Sequence, residues 1–295
     1  MPLPFLDQAK KFLDQVVHAQ HDASILGIDI GSSAIKIVQL KNDKGTALLE
    51  TYGEIALGPF ADAEVGQATN LPPEKLAEAL KSLMKEAGVT TKTCGVAVPF
   101  ASSLVKLIEM PPLDAKKLAS VIPIEARKYV PVPIGEVQLD WFIIPETEQR
   151  LFEGKTDLDN PEVAALKKKF VLIVAMHNET LRKYTETLKL ADLSPDFYEI
   201  EVFSNIRSTI SRSLAPVAII DLGAATSKLY LVELGIVLAS HIVSVGSQDI
   251  TRSLASATHT SITKAEEMKR QAGIMVDVPN NNIAQVSHAA TLTME

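Results

Sequence analysis

Apolar residues along this chain alternate between two rhythms: short runs typical of strands, and stripes at helical spacing. Residues 25–57 read as three strands in a meander, with Asn42-Asp43-Lys44-Gly45 turning between the second and third. A loop over 58–71 leads to Pro72-Pro73, which opens a helix to about Ala87, and Gly88 ends it. Residues 93–98 predict a buried strand. The next hundred residues have their own order: a strand at 104–110, a helix capped by Asp114 and kinked or split by Pro123, strands at 137–144 and 170–177, a helix at 179–191, and a short strand at 197–201. That order, β-α-β-β-α-β, predicts a split βαβ subdomain inserted over 101–201, with the polar stretch 148–168 as an exposed loop. A helix at about 202–213 follows, then strands on either side of the Gly235 turn, the last at 237–245. Helices are predicted at 248–257 and 264–272, the latter with Thr263 and Glu266 as a capping box, and a further helix at 280–295. Residues 3–20 predict an amphipathic helix, with Phe5, Leu6, Ala9, Phe12, Leu13, Val16 and Val17 on one stripe. It reads as a helix packed on the body or on a partner, or less readily as a membrane-surface anchor, because its polar face is mixed rather than basic.

One pattern occurs twice, once in each half. Ile25-Leu26-Gly27-Ile28-Asp29-Ile30-Gly31-Ser32-Ser33-Ala34-Ile35-Lys36 matches Val217-Ala218-Ile219-Ile220-Asp221-Leu222-Gly223-Ala224-Ala225-Thr226-Ser227-Lys228. Each is an apolar strand, an Asp, an apolar residue, a Gly, a turn of small residues, and a return strand carrying Lys. An Asp at the end of a strand can hold Mg²⁺ directly or through water. Gly permits a tight turn and close approach of backbone to phosphate. Small turn residues leave N–H groups free to form an anion-binding nest. Two ordinary Asp-x-Gly hairpins would look similar singly, but their recurrence in both halves favours a phosphate clamp between related domains.

The bulk numbers narrow the field. With 295 residues the chain can hold two core-bearing domains, and 46% hydrophobic against 22% charged residues indicates a globular fold. A net charge of −7 disfavours nucleic acid as the main partner. The one cysteine, Cys94, excludes an internal disulfide and sits in an apolar run, which reads as a buried thiol in a reducing compartment. The histidines show no strong metal-ligand spacing: His18 and His21 could share a helix face, but no carboxylate or thiol completes a site. No apolar run is long enough for a transmembrane helix, and the charged N-terminus is not a signal peptide, so a cytoplasmic protein is expected.

Three further stretches carry a resemblance: Glu125-Ala126-Arg127-Lys128-Tyr129-Val130-Pro131-Val132-Pro133 with Val137-Gln138-Leu139-Asp140-Trp141, then Val245-Gly246 with Asp249-Ile250-Thr251, then Ala265-Glu266-Glu267-Met268-Lys269-Arg270. With the twin hairpins they resemble the actin-like pilus assembly family PilM, a cousin of the division protein FtsA in the actin, Hsp70 and sugar-kinase superfamily. The resemblance runs from about residue 25 to 275, and the Lys-Tyr-Val-Pro-Val-Pro stretch is its most specific part.

It implies an α/β, actin-like (ribonuclease H-like) two-domain fold: a first domain of 25–100 and 202–215, an inserted subdomain at 101–201, and a second domain at 216–295, with residues 1–24 as the N-terminal helix. It implies ATP and Mg²⁺ in the cleft. Asp29 and Asp221 would be the Mg²⁺-side carboxylates. Gly31, Ser32, Ser33, Gly223, Ala224 and Ala225 would supply turn contacts to phosphates, and Lys36 a charge. Gly246 and Ser247 would form a nucleotide-contacting turn, with Ser247 standing where the family has a second Gly. Glu266, Lys269 and Arg270 would line the nucleoside end, or form a solvated helix face. The family continues past Glu295 with a Gly-rich adenosine loop, so the chain reads as C-terminally truncated. No catalytic base is placed; Glu199 and Glu201 stand where relatives position water, or are plain surface carboxylates. Weak or absent hydrolysis is therefore expected. The implied partner is the cytoplasmic tail of a PilN-like inner-membrane protein, bound in a groove near the inserted subdomain, together with other pilus-machine components and a possible ring of copies. A nucleotide-free scaffold and a small-molecule kinase are the alternative functions.

Overall fold

The computed structural model describes residues 24–145, 168–210 and 215–273. The helices expected over 3–20 and 280–295, and the loop expected over 148–168 save its last residue, lie outside them. Three sheets organise the rest. The first joins β1 (Ser24–Ile30), β2 (Ala34–Asp43), β3 (Thr46–Ala56), β4 (Thr93–Val98) and β8 (Ser194–Ile200), in the order β3-β2-β1-β4-β8. The meander β1–β3 is antiparallel, while β4 and β8 run parallel to β1. Helix α1 (Pro73–Glu86) places Leu76, Ala77, Leu80 and Leu83 at successive helical positions, and all are buried. It packs on β3 and on α3 (Asn178–Leu190). This hydrophobic layer also takes in Leu26, Ile28, Val96 and Ile200.

The inserted sheet has β5 (Ser103–Met110), β6 (Val137–Ile143) and β7 (Lys169–His177), in the order β5-β7-β6, all antiparallel. Central β7 is buried on both faces. Leu172, Val174 and Met176 join the main core, whereas Val171 and Ile173 pack with Leu118 and Ile122 of α2 (Ala115–Ala126). Asp114 caps α2 by accepting from the Lys117 N–H at 2.9 Å, and Pro123 sits inside that helix.

The order of elements over 101–201 is the expected one, but the split βαβ sheet is not formed. Its last strand, β8, pairs in parallel with β4 in the first sheet, and α3 lies on α1. The reason lies partly at Gly95: a Cβ there would meet the Phe197 ring at 2.3 Å, so the absent side chain lets β8 close onto β4. The second sheet therefore ends with β7, and β8 belongs to the first.

Helix α4 (Glu201–Thr209) leads into the second half, whose sheet contains β9 (Val217–Leu222), β10 (Ser227–Glu233) and β11 (Ile236–Val243). Its inner face, with Tyr230, Val232 and Val237, joins the main core through Phe100, whose ring meets Tyr230 edge-on at 5.0 Å. Its outer face exposes Ile220, Leu222, Leu229 and Leu231. Helices α5 (Ser247–Thr258) and α6 (Ile262–Ala272) form a hairpin around Leu254, Ala255 and Ala265. Ser261, not Thr263, caps α6: its side chain accepts from the Lys264 N–H.

Candidate functional site

The two hairpins fold alike. Asp29 lies opposite Lys36 across β1 and β2, and Asp221 opposite Lys228 across β9 and β10. In each turn the glycine N–H donates back across the turn, Gly31 to the Ala34 carbonyl and Gly223 to the Thr226 carbonyl, both at 3.0 Å. The turn carbonyls are held from behind. Leu57 N–H donates to Ser33 O at 2.9 Å and Thr69 N–H to Ser32 O at 2.8 Å. In the second half, the first N–H groups of α5 do this: Ser247 donates to Gly223 O at 2.9 Å and Gln248 to Ala224 O at 3.0 Å. The N–H groups of Ser32, Ser33, Ala224 and Ala225 make no backbone hydrogen bond among the described residues. Unpaired N–H groups in consecutive turn positions form an anion nest.

Both turns open onto one cleft of about 440 Å³. It brings together Asp29, Gly31, Ser32, Ser33, Lys36, Asp221, Gly223, Ala224 and Ser247. Ala225 lines an adjoining cavity of about 360 Å³ that reaches Asn70, Lys183 and Tyr184. Gly246 stands behind the second turn: a Cβ there would lie 2.3 Å from the Ala224 carbonyl oxygen. It supports the turn rather than lining the cleft, and the N–H of Ser247 is spent on the same bracing.

Glu266, Lys269 and Arg270 are not brought into the cleft. Buried Glu266 accepts from Thr251 Oγ1 at 2.7 Å and Arg270 Nε at 2.9 Å, and pairs with Lys269 Nζ at 2.6 Å. Burial alone would raise this carboxyl, but the bonds from Lys269, Arg270 and Thr251 outweigh it and hold the group below its ordinary range. Lys269 also donates to Ser247 O at 3.2 Å, so the network fastens α6 to the start of α5.

Glu201 and Lys228, neither of them in the expected binding set, also line the cleft. Glu201, at the start of α4, accepts from the Phe100 N–H at 2.6 Å and from Lys228 Nζ at 2.7 Å. Lys228 Nζ also reaches Asp221 Oδ2 at 3.2 Å. Burial would lower the Lys228 pKa, yet Glu201 and Asp221 together raise it, so the ammonium stays charged. Burial pushes the Asp29 carboxyl up and the Glu201 charge adds to this, while Lys36 and Lys228 pull it back. The buried Tyr230 hydroxyl has no hydrogen-bond partner among the described residues.

The two glutamates considered for water positioning part company. Glu199 is buried, not a surface carboxylate, and both of its oxygens are taken by the Arg207 guanidinium. Only Glu201 faces the cleft. Lys228 was visible in the sequence as the counterpart of Lys36, but the contact between Glu201 and Lys228 joins distant segments and leaves no local signature.

No group of three His, Cys, Asp or Glu side chains converges as a metal site among the described residues. Magnesium binds through one or two carboxylates, completing its shell with water and phosphate oxygens. The pair Asp29 and Asp221, beside two turns with unpaired N–H groups, fits an ion of that kind.

Comparison with known proteins agrees with this architecture. The solved PilM–PilN type IV pilus biogenesis complex is similar at 22% identity, over 92% of this chain and 73% of that one, with a TM-score of 0.70. The ethanolamine utilization protein EutJ from Carboxydothermus hydrogenoformans is similar at 12% identity, over 98% of this chain and 76% of that one, with a TM-score of 0.50. These likenesses show an actin-like α/β fold. Among the described residues, no helix is long and apolar enough to cross a membrane. The family described as type IV pilus assembly protein PilM matches residues 27–286, and the chain belongs to that family.

Proposed function

We propose that this chain is a nucleotide-binding adaptor of a type IV pilus assembly machine. In this reading ATP with Mg²⁺ biases the relation of the two halves, and the cytoplasmic tail of a PilN-like inner-membrane protein reads the result. The observation that carries the reading is the pair of matching turns facing one cleft, each with an aspartate beside it. Asp29 and Asp221 would hold the metal, the turn N–H groups and Lys36 the phosphates. Bound Mg²⁺ would neutralise phosphate charge and bridge phosphate oxygens to the two halves. A ligand shifts such an equilibrium only by binding one arrangement better than the other. Hydrolysis is slow in this account, because the cleft carboxylate Glu201 is held by Lys228 and the Phe100 N–H. The protein works in the cytoplasm, attached to the inner membrane through its partner, singly or as a ring of copies.

A nucleotide-free scaffold is the second reading, favoured by Lys228 already compensating two cleft carboxylates. A thermal-shift titration separates them: ATP with Mg²⁺ raises the melting temperature of an adaptor and leaves that of a scaffold unchanged. For the partner, a PilN-like tail peptide is expected to be retained by Asp29→Ala and lost on excision of residues 101–177. The excision stops there because β8 belongs to the first sheet. Undiminished retention by the excised form would move the tail site off the insert.

A further inference from the structure

The twin lysines have different fates. Lys36 and Lys228 occupy equivalent positions, each directly across from its hairpin's aspartate. Lys36 is exposed at the cleft, whereas Lys228 is buried. Lys228 Nζ lies 2.7 Å from Glu201 Oε1 and 3.2 Å from Asp221 Oδ2, and those carboxylates come from different elements lining the cleft, one from α4 and one from β9. Their side chains are 15% and 27% exposed. Carboxylates so little hydrated need a cation nearby.

We propose that Lys228 is the cleft's built-in counter-cation, a positioning residue that competes with a divalent metal ion for Asp221 while tying Glu201 to the second half. The ammonium and a hard divalent ion seek the same carboxylate oxygens, and their charges repel, so occupation by one weakens the other. Metal entry therefore draws Asp221 away from Lys228 and leaves the ammonium to Glu201 alone. The repeat supplies two cations to the cleft: Lys36, which lies between Asp29 and Glu54 on the neighbouring strands and makes no ion pair within salt-bridge distance among the described residues, can meet phosphate, and Lys228 ties Glu201 to the second half. The inference rests on reading this cleft as a magnesium–polyphosphate site, but it is tested with the metal alone.

The experiment compares full-chain wild type, Lys228→Met and Lys36→Met by calorimetric melting, in chelator and in millimolar MgCl₂. Lys228→Met leaves a buried ion pair broken and is expected to melt roughly 6–12 °C lower in chelator. MgCl₂ is expected to restore most of that loss, while wild type and Lys36→Met shift little. Equal MgCl₂ shifts in wild type and Lys228→Met, or an unchanged melt for Lys228→Met, would overturn the proposal. Should Lys228→Met not fold, the double variant Lys228→Gln with Glu201→Gln removes the competing charge without stranding Glu201. Titration with MnCl₂, followed by the paramagnetic signal of the free ion, is then expected to show several-fold tighter binding than wild type. Equal affinity would refute the competition. Wild type that ignores ATP while both metal results hold would sink the nucleotide reading and leave the competition standing.

Discussion

Replacing Gly246 by alanine probes how the second turn is built. Gly246 has φ −139° and ψ −174°, an extended conformation open to any residue, so backbone strain does not oppose the change. Lost freedom in the unfolded chain would by itself favour alanine by about 0.4–1 kcal/mol. Close approach decides otherwise. The new Cβ would sit 2.3 Å from the Ala224 oxygen, 2.6 Å from its carbonyl carbon and 2.7 Å from the Ala225 carbonyl carbon. All three are backbone atoms, so no side chain can swing aside. Either α5 or the turn must retreat by about 1 Å to reach ordinary contact. That movement stretches the Ser247–Gly223 and Gln248–Ala224 hydrogen bonds, each contributing about 1 kcal/mol. With an overpacking cost of about 1–3 kcal/mol, a net loss near 2 kcal/mol follows. In a protein of 295 residues that is a drop of about 3 °C in melting temperature. The assay is thermal unfolding followed by circular dichroism, with Gly135→Ala as control. Gly135 has open space around its would-be Cβ, so that variant should be neutral or slightly more stable. A Gly246→Ala protein as stable as wild type would refute the bracing of the turn by α5.

Tyr230→Phe removes a buried hydroxyl without a described partner and is expected to stabilise the protein by about 1 kcal/mol, measured by urea unfolding; a loss of similar size would mean the hydroxyl is satisfied. Burial pushes the Cys94 thiol up to about 12, so a thiol reagent at mild alkaline pH should react only after denaturant is added; rapid reaction of the folded protein would contradict that burial. Asp29 and Glu266 give pH effects of opposite sign. The raised Asp29 pKa makes its contribution complete below 3.8 and lost as pH rises through the folded value, so Asp29→Asn should exceed wild type in stability at neutral pH, with the gap closing in acid. The lowered Glu266 pKa makes its contribution present above 4.5 and lost as pH falls, so Glu266→Gln should be weaker than wild type at neutral pH and converge in acid; melts across the acid range that fail to separate in these directions would reject the assignments.

What the sequence made legible was local. Strand alternation, the Asn42–Gly45 turn, the Asp114 cap and the repeat of Asp, Gly and Lys are all set by neighbours along the chain. The destination of β8 was not legible. It depends on Gly95 accepting the Phe197 ring and on α3 meeting α1, contacts between segments far apart in sequence. The same holds within the cleft. Composition and spacing pick out Asp29, Lys36 and Asp221, but they cannot tell that Lys228 bends to Glu201 rather than to a ligand. Nor can they tell that Glu266 and Lys269 fasten α6 to α5 instead of facing the cleft. Cap positions slipped for a subtler reason: Ser261 and Thr263 are both competent caps, and only the path of the preceding chain selects Ser261.

The central claim is that two matching turns hold one polyphosphate. Isothermal titration of the whole chain with ATP and MgCl₂, repeated for Lys36→Met and Asp221→Asn, tests it most directly. Wild type is expected to bind measurably, with the ligand displaced by tripolyphosphate and not by adenosine. Each variant, one from each hairpin, should weaken binding about tenfold or more, as expected for losing a charged contact. Wild type without binding, or two variants that bind as tightly as wild type, would contradict it.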